Sequence, residues 1–222
     1  MSSGLSDFRS FGLPMKKYIA RFHYLTQDLP DRSHIEQVQV ACENGANWIQ
    51  YRCLTKAEDD MIEEIHHIAS ICDDWGATFI LTNHYHLLDR VDAQGVHIED
   101  PEADFAAIRD VITDEKTLGA SAYSQQQILA LQNTGVVDYC GYGPFAGTTT
   151  RNHDKPLLGF NGYRELEKLR LTIPVIAVSG IKLTDVEPLL NTGIIDGIAV
   201  SSAINLAPDM ASAVKAFYRA IH

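Results

Sequence analysis

The sequence predicts a single (β/α)8 barrel, and three observations carry that expectation. Short apolar stretches recur at roughly 25 residues, the length of a minimal strand–helix unit. Helix-start signals follow several of those stretches, and glycines then stop the helices where the chain must turn back. The chain has 222 residues, a length that barrels reach undivided.

The expected strands, in order, are Phe22–Thr26, Trp48–Tyr51, Thr78–Thr82, Gly95–Ile98, Thr117–Ala120, Asp138–Gly141, Pro174–Val178 and Gly197–Val200. Ser33 with Glu36, Thr55 with Glu58, Ser124 with Gln127 and Thr184 with Glu187 have capping-box spacing shortly after a strand. In the second helical stretch Met61, Ile62, Ile65, Ile68, Ala69 and Cys72 fall on one face at helical spacing. Gly45, Gly76 and Gly193 stand where helices must end. Strand, cap, helix and glycine repeated in this way imply a parallel sheet with right-handed crossovers. Eight such units favour closure over an open doubly wound sheet. Residues 1–17 read as a loose polar arm and residues 18–222 as the barrel.

Composition narrows the partners. A net charge of −11 leaves no basic stripe for a nucleic-acid backbone. No apolar run approaches a membrane span. The four cysteines, Cys42, Cys53, Cys72 and Cys140, have no metal-ligand spacing and read as reduced, mostly buried thiols of a cytoplasmic protein. Homo-oligomer formation stays compatible with all of this.

In such barrels the site is built by loops after the strands, and phosphate commonly sits after strands seven and eight. Those loops here are Ser179-Gly180-Ile181 and Ser201-Ser202-Ala203. Glycine lets backbone N–H groups approach an anion, and serine adds small donors. After strand six comes Gly141-Tyr142-Gly143-Pro144-Phe145-Ala146-Gly147-Thr148-Thr149-Thr150-Arg151. Its three hydroxyls and guanidinium suit a phosphorylated ligand. Gln50 and Arg52 close strand two and Asn83 closes strand three, which aims their side chains at the barrel mouth.

These strings, together with Gly95-Val96-His97-Ile98, Gly119-Ala120-Ser121 and Ile173 to Ile181, resemble the thiamine phosphate synthase family and its thiazole tautomerase relatives from Arg21 onward. The resemblance implies condensation of aminopyrimidine methyl diphosphate with thiazole phosphate, giving thiamine phosphate and diphosphate, with Mg2+ as cofactor. It implies that Gln50 binds the pyrimidine, that Arg52 and Asn83 bind the diphosphate, and that Ser121 lies near the pyrimidine. Arg52, Asn83, Ser121 and Arg151 become the expected catalytic residues. Thr148, Thr149, Thr150 and Arg151 would touch the thiazole phosphate, and Gly180, Ser201 and Ser202 would complete its cup.

The sequence departs from the family pattern at four places. Leu54 replaces a lysine, with Lys56 as a nearby substitute cation. His84 replaces a metal-binding aspartate, Glu102 a second one, and Arg151 a loop lysine. Glu99 and Asp100 compete with Glu102 as ligands, since magnesium prefers oxygen. Two further chemistries are open to these residues: a transition-metal site of His84, His86 and Glu102, and a reactive thiol at Cys53. A tautomerase reading needs a proton shuttle, but Tyr123 stands where those relatives have a histidine, and a phenol shuttles protons poorly at neutral pH. A non-catalytic relative that binds thiazole phosphate or thiamine phosphate is the third reading.

Overall fold

The computed structural model describes residues 17–148 and 155–222. Eight parallel strands form a closed barrel in chain order, the last pairing with the first. They are β1 (Phe22–Leu25), β2 (Trp48–Tyr51), β3 (Thr78–Thr82), β4 (Gly95–Ile98), β5 (Thr117–Ala122), β6 (Tyr139–Tyr142), β7 (Val175–Val178) and β8 (Gly197–Val200). Around them lie α1 (His34–Glu43), α2 (Glu58–Trp75), α3 (Phe105–Ile112), α4 (Gln125–Thr134), α5 (Gly159–Arg164), α6 (Leu183–Leu190), α7 (Ser202–Asn205) and α8 (Met210–Ile221). A short 3-10 turn at Tyr85–Leu87 stands between β3 and β4, where a full helix is expected. Of the expected amino-terminal arm, only Lys17 falls within the described residues; it reaches Asp138 at 3.1 Å.

Each expected strand is present, with ends displaced by at most two residues. Asp138 stays outside β6 because its carboxylate serves as a bracket, accepting from Arg109 at 2.8 Å and from the Leu118 N–H at 2.8 Å. Pro174 has no N–H to give the ladder, and β7 begins at Val175.

Two of the four expected capping boxes are corrected. Ser33 caps α1 with Glu36 as expected, and Ser124 caps α4 by accepting from the Gln127 N–H. Thr55 does not cap α2: the N-cap is Ala57, and the Thr55 hydroxyl donates instead to Asp28 at 2.9 Å. Thr184 lies inside α6, whose first turn is closed by Asp185 accepting from the Lys182 N–H at 2.8 Å. In both cases another polar partner outcompetes the local cap.

Strand alternation sorts the side chains into two layers. Outward residues such as Tyr24, Ile49, Leu81, Val96 and Ile198 join the core between sheet and helices. Inward residues Trp48, Ile80, Tyr139, Ile176 and Ala199 fill the barrel interior. Gly119 makes this filling possible: a Cβ there would stand 2.2 Å from the Tyr139 ring. With the interior plugged by aromatics, the open end lies above them, at the carboxyl ends of the strands. On α2 Met61, Ile65, Ile68, Ala69 and Cys72 of the expected apolar face are buried and Ile62 partly so, with Glu64 buried among them.

Candidate active site

The mouth of the barrel is a cleft of about 950 Å³ of empty space including its open side. That volume lies within the range of small-molecule sites. Of the residues expected from the sequence, Gln50, Arg52, Ser121, Thr148, Gly180, Ser201 and Ser202 all line it. They come from β2, β5 and the loops after β6, β7 and β8. Thr149, Thr150 and Arg151 lie outside the described residues.

Register explains the meeting of Gln50, Arg52 and Ser121. Gln50 and Arg52 are alternate residues with the same inward parity as Trp48. Gln50 is 3% exposed, and its amide donates to the Thr82 hydroxyl at 3.0 Å. Arg52 Nε donates to Glu99 Oε1 at 2.9 Å. Ser121 is fixed by His97, whose Nε2 lies 2.9 Å from Oγ while its Nδ1 lies 3.0 Å from the Tyr139 hydroxyl.

Across the cleft, Ser179 and Gly180 both take positive φ, 73° and 74°. The loops after β6 and β7 are joined by the Phe145 N–H to the Val178 carbonyl at 2.9 Å and the Ala146 N–H to the Ser179 carbonyl at 3.1 Å. A Cβ at Gly180 would stand 2.4 Å from the Ala146 carbonyl oxygen, so this close approach needs glycine. The Thr148 and Ser202 hydroxyls lie 3.4 Å apart. Asn205 donates to Ser201 Oγ at 3.2 Å and to the Leu25 carbonyl at 2.9 Å, tying the β8 loop to β1.

Asn83 is placed at the rim rather than in the lining. Its backbone is left-handed, with φ 64°. Its Oδ1 accepts from the Glu99 N–H at 2.8 Å, and its Nδ2 lies 3.5 Å from Glu99 Oε2. Glu99 therefore binds both Arg52 and Asn83. The sequence points to Glu99 only as a metal ligand.

The lining also holds residues not expected there. His23 stacks on Trp48 with ring centroids 4.4 Å apart, and its Nε2 donates to the Ala20 carbonyl, 2.9 Å away. Burial drives its pKa down to about 3, so this imidazole is neutral at ordinary pH. Gln27, His97 and Tyr139 are likewise part of the lining. Inward parity along β1, β4 and β6 was the available signal for them.

The expected metal ligands do not converge. Glu102 is exposed, and its Oε1 accepts from Gln127 at 3.1 Å. Asp100 accepts from the Glu102 N–H at 3.0 Å. Burial lowers the His84 pKa, leaving a neutral imidazole, a poor ligand for magnesium. His86 pairs with Glu58 at 2.9 Å, so the His84, His86 and Glu102 site is not formed. Among the described residues, these groups do not fit a protein-built magnesium site. Leu54 is 62% exposed, and Lys56 pairs with Glu64 at 2.7 Å on the outer side of β2, so it does not substitute for the missing lysine.

A closed parallel barrel with a polar cleft at the carboxyl ends of its strands defines the class of (β/α)8 enzymes. Within that class, the family profile described as Thiamine monophosphate synthase matches residues 24–204. The chain is 30% identical to Thiamine-phosphate synthase from Phocaeicola vulgatus over 205 residues, 90% of this chain and 98% of that one. It is 31% identical to Thiamine-phosphate synthase from Flavobacterium johnsoniae, covering 83% of this chain and 88% of that one. Among solved structures, thiamine phosphate pyrophosphorylase from Pyrococcus furiosus superimposes with a TM-score of 0.79 at 28% identity, covering 90% and 95% of the two chains. The chain belongs to the thiamine monophosphate synthase family. It is thus a transferase-type enzyme of thiamine biosynthesis.

Proposed function

We propose that the chain condenses aminopyrimidine methyl diphosphate with thiazole phosphate, releasing diphosphate and forming thiamine phosphate. The observation that carries this reading is the single cleft that gathers an amide and a guanidinium on one side and a glycine–hydroxyl cup on the other. Two anionic groups can therefore be held apart, with the reacting atoms between them.

On the first side, Gln50 already donates its N–H to Thr82. Its carbonyl then accepts from the exocyclic amine of the pyrimidine. Arg52, with Asn83 at the rim, takes the diphosphate, a role suited to a planar guanidinium. As the bond from the methylene carbon to the diphosphate oxygen breaks, positive charge grows on the pyrimidine methyl group. Ser121, held by His97, sits beside that group. The thiazole nitrogen supplies the electron pair of the new C–N bond. Thr148, with Thr149, Thr150 and Arg151, and the Gly180, Ser201 and Ser202 cup hold the thiazole phosphate so that this nitrogen faces the methylene carbon.

Magnesium, which the resemblance implies, enters this reading as an ion carried mainly by substrate phosphate oxygens and water, with Glu102 the one carboxylate proposed to approach it. The tautomerase reading loses ground because the Tyr123 hydroxyl is directed to the Glu99 carbonyl at 3.3 Å. The cytoplasm suits the four buried free thiols. Among the described residues no helix is long and apolar enough to cross a membrane.

The test is an assay with both phosphorylated precursors, with and without magnesium. Thiamine phosphate formed only when both are present supports the synthase. Tight binding of thiazole phosphate with no product would replace it by the binding-protein reading.

A further inference from the structure

On the outer side of β2, behind the residues that line the mouth, three side chains bring metal-ligating atoms together. Gln50 and Arg52 point inward, so Tyr51 and Cys53 face the helices, and both belong to the core there. His34 opens α1, and Asp28 lies in the loop between β1 and α1. A carboxylate oxygen of Asp28, a ring nitrogen of His34 and the Cys53 sulfur all lie within 4.8 Å of one another.

The imidazole is the informative member. His34 is only 4% exposed, yet its Nε2 is buried with no hydrogen-bond partner, 3.5 Å from Asp28 Oδ1. A core rarely keeps a ring nitrogen unsatisfied unless something binds it. The other nitrogen is fixed: Nδ1 lies 3.0 Å from Glu64 Oε2. Glu64 is held in turn by the Tyr51 hydroxyl at 2.7 Å and by Lys56 at 2.7 Å. A carboxylate that orients a histidine through its far nitrogen is the usual support of a metal-ligating imidazole.

The other two ligands are also positioned. Asp28 accepts from the Leu54 N–H at 3.0 Å and from the Thr55 hydroxyl at 2.9 Å. Cys53 is buried at the end of β2, its sulfur within reach of both other ligand atoms. A surface cleft lined by Asp28, Pro30, Arg32, Ser33, Thr55 and Lys56 reaches the cluster from solvent and gives an ion a way in.

We propose that Asp28, His34 and Cys53 form a three-ligand site for a divalent transition ion of the zinc class, with water at the fourth position. The thiolate and carboxylate offset the ion's charge while the imidazole stays neutral. Sulfur and nitrogen ligands select zinc-class ions over magnesium. The ion fastens the β1–α1 loop to the end of β2, beside Gln27 and Arg52, which line the mouth.

The experiment uses the full chain stripped of metal, titrated with Co2+ and followed by optical spectroscopy, with Zn2+ as competitor. One equivalent of Co2+ should give a thiolate-to-cobalt charge-transfer band, and Zn2+ should erase it. Cys53→Ser should abolish the band, His34→Gln should weaken binding at least about ten-fold, and Glu64→Gln about 10–100-fold. In the unaltered chain Zn2+ should also protect one thiol from alkylation, a readout that does not depend on any variant folding. A charge-transfer band that survives Cys53→Ser overturns the proposal. So does a cobalt-saturated chain without that band, or a Cys53 alkylated equally fast with and without Zn2+, which would leave a thiolate–imidazolium pair in place of a metal site.

Discussion

Arg52 Nε and Glu99 Oε1 lie 2.9 Å apart at the mouth of the barrel, both side chains only 16% exposed. The guanidinium proposed to take the diphosphate is thus already bound to a carboxylate. An incoming diphosphate must displace or share it, and Glu99 is what aims the arginine before substrate arrives. Arg52→Ala should lower kcat/KM by on the order of 10²–10³, the scale of losing one charge-stabilising donor. Its Tm should shift by only a few degrees, because the mouth contributes little to the core. Steady-state kinetics beside thermal unfolding checks this, and near-parental turnover would remove Arg52 from the reaction.

Gly180 stands where the loops after β6 and β7 meet. At φ 74° with the Ala146 carbonyl 2.4 Å from any added Cβ, a side chain both strains the backbone and pushes the loop carrying Thr148. Gly180→Val should abolish measurable binding of thiazole phosphate by calorimetry. Ser202→Asp should do the same by setting an anion against an anion. Unchanged affinity in both variants would move the phosphate cup elsewhere.

Gly119 offers a prediction about stability alone. Tyr139 fills the interior directly over it, and a Cβ would enter the ring at 2.2 Å. Gly119→Ala should therefore cost about 1–3 kcal/mol, the usual range for overpacking a dense core. Denaturant unfolding measures it. Loss of less than a few tenths would mean that the ring moves freely, contrary to its place between Trp48 and His97.

The barrel was legible because its signals are local. Each β-strand is a short apolar run, and Ser33 with Glu36 or Ser124 with Gln127 needs only three residues of context. Caps failed where a distant partner won, as when Asp28 took the Thr55 hydroxyl. The inward set Gln50, Arg52 and Ser121 could be read from strand parity together with family resemblance. Glu99 could not be read as a brace, because its meaning depends on Arg52 and Asn83, 47 and 16 residues away. The Asp28, His34 and Cys53 cluster was invisible for the same reason. Its ligands have no spacing of their own, and parity that sends Arg52 inward sends Cys53 out to meet the histidine.

The same cluster predicts a pH dependence in the metal-free chain. Burial would lower the His34 pKa, but its contacts with Cys53 and Glu64 outweigh this and raise it from 6.5 to about 9. A raised folded-state value stabilises below the unfolded value and is lost as pH rises through the folded one. His34 should thus contribute fully below about pH 6.5 and lose that contribution by about pH 9. Glu64, pulled down from 4.5 to about 2 against the effect of burial by His34, Lys56 and Tyr51, contributes above about pH 4.5 and loses it toward pH 2. The unfolding free energy of the parent minus that of His34→Gln, measured in a chelator, should shrink by on the order of 2 kcal/mol between pH 6.5 and 9. A flat difference would place the His34 charge elsewhere.

At Leu54, His84 and Glu102 the family resemblance implies a lysine and two aspartates instead. Leu54 removes a cation and His84 an anion, so the net charge at the rim is unchanged by the two losses together. What changes is the ligand set: a neutral imidazole stands where a hard oxygen would be, and Leu54 is turned to solvent. An ion held mainly by diphosphate oxygens tolerates this, but the protein alone should bind it weakly. The parent should therefore be active with magnesium and show little affinity for it without substrate. Leu54→Lys with His84→Asp should raise activity or tighten magnesium binding in calorimetry. Glu102→Gln keeps the Gln127 contact within reach while removing the carboxylate charge, and it should cut activity sharply. If Glu102→Gln is silent, the ion is approached from another carboxylate, with Asp100 next to test. If the parent makes no product and the double reversion creates it, the chain is a binding protein whose catalytic half has been lost.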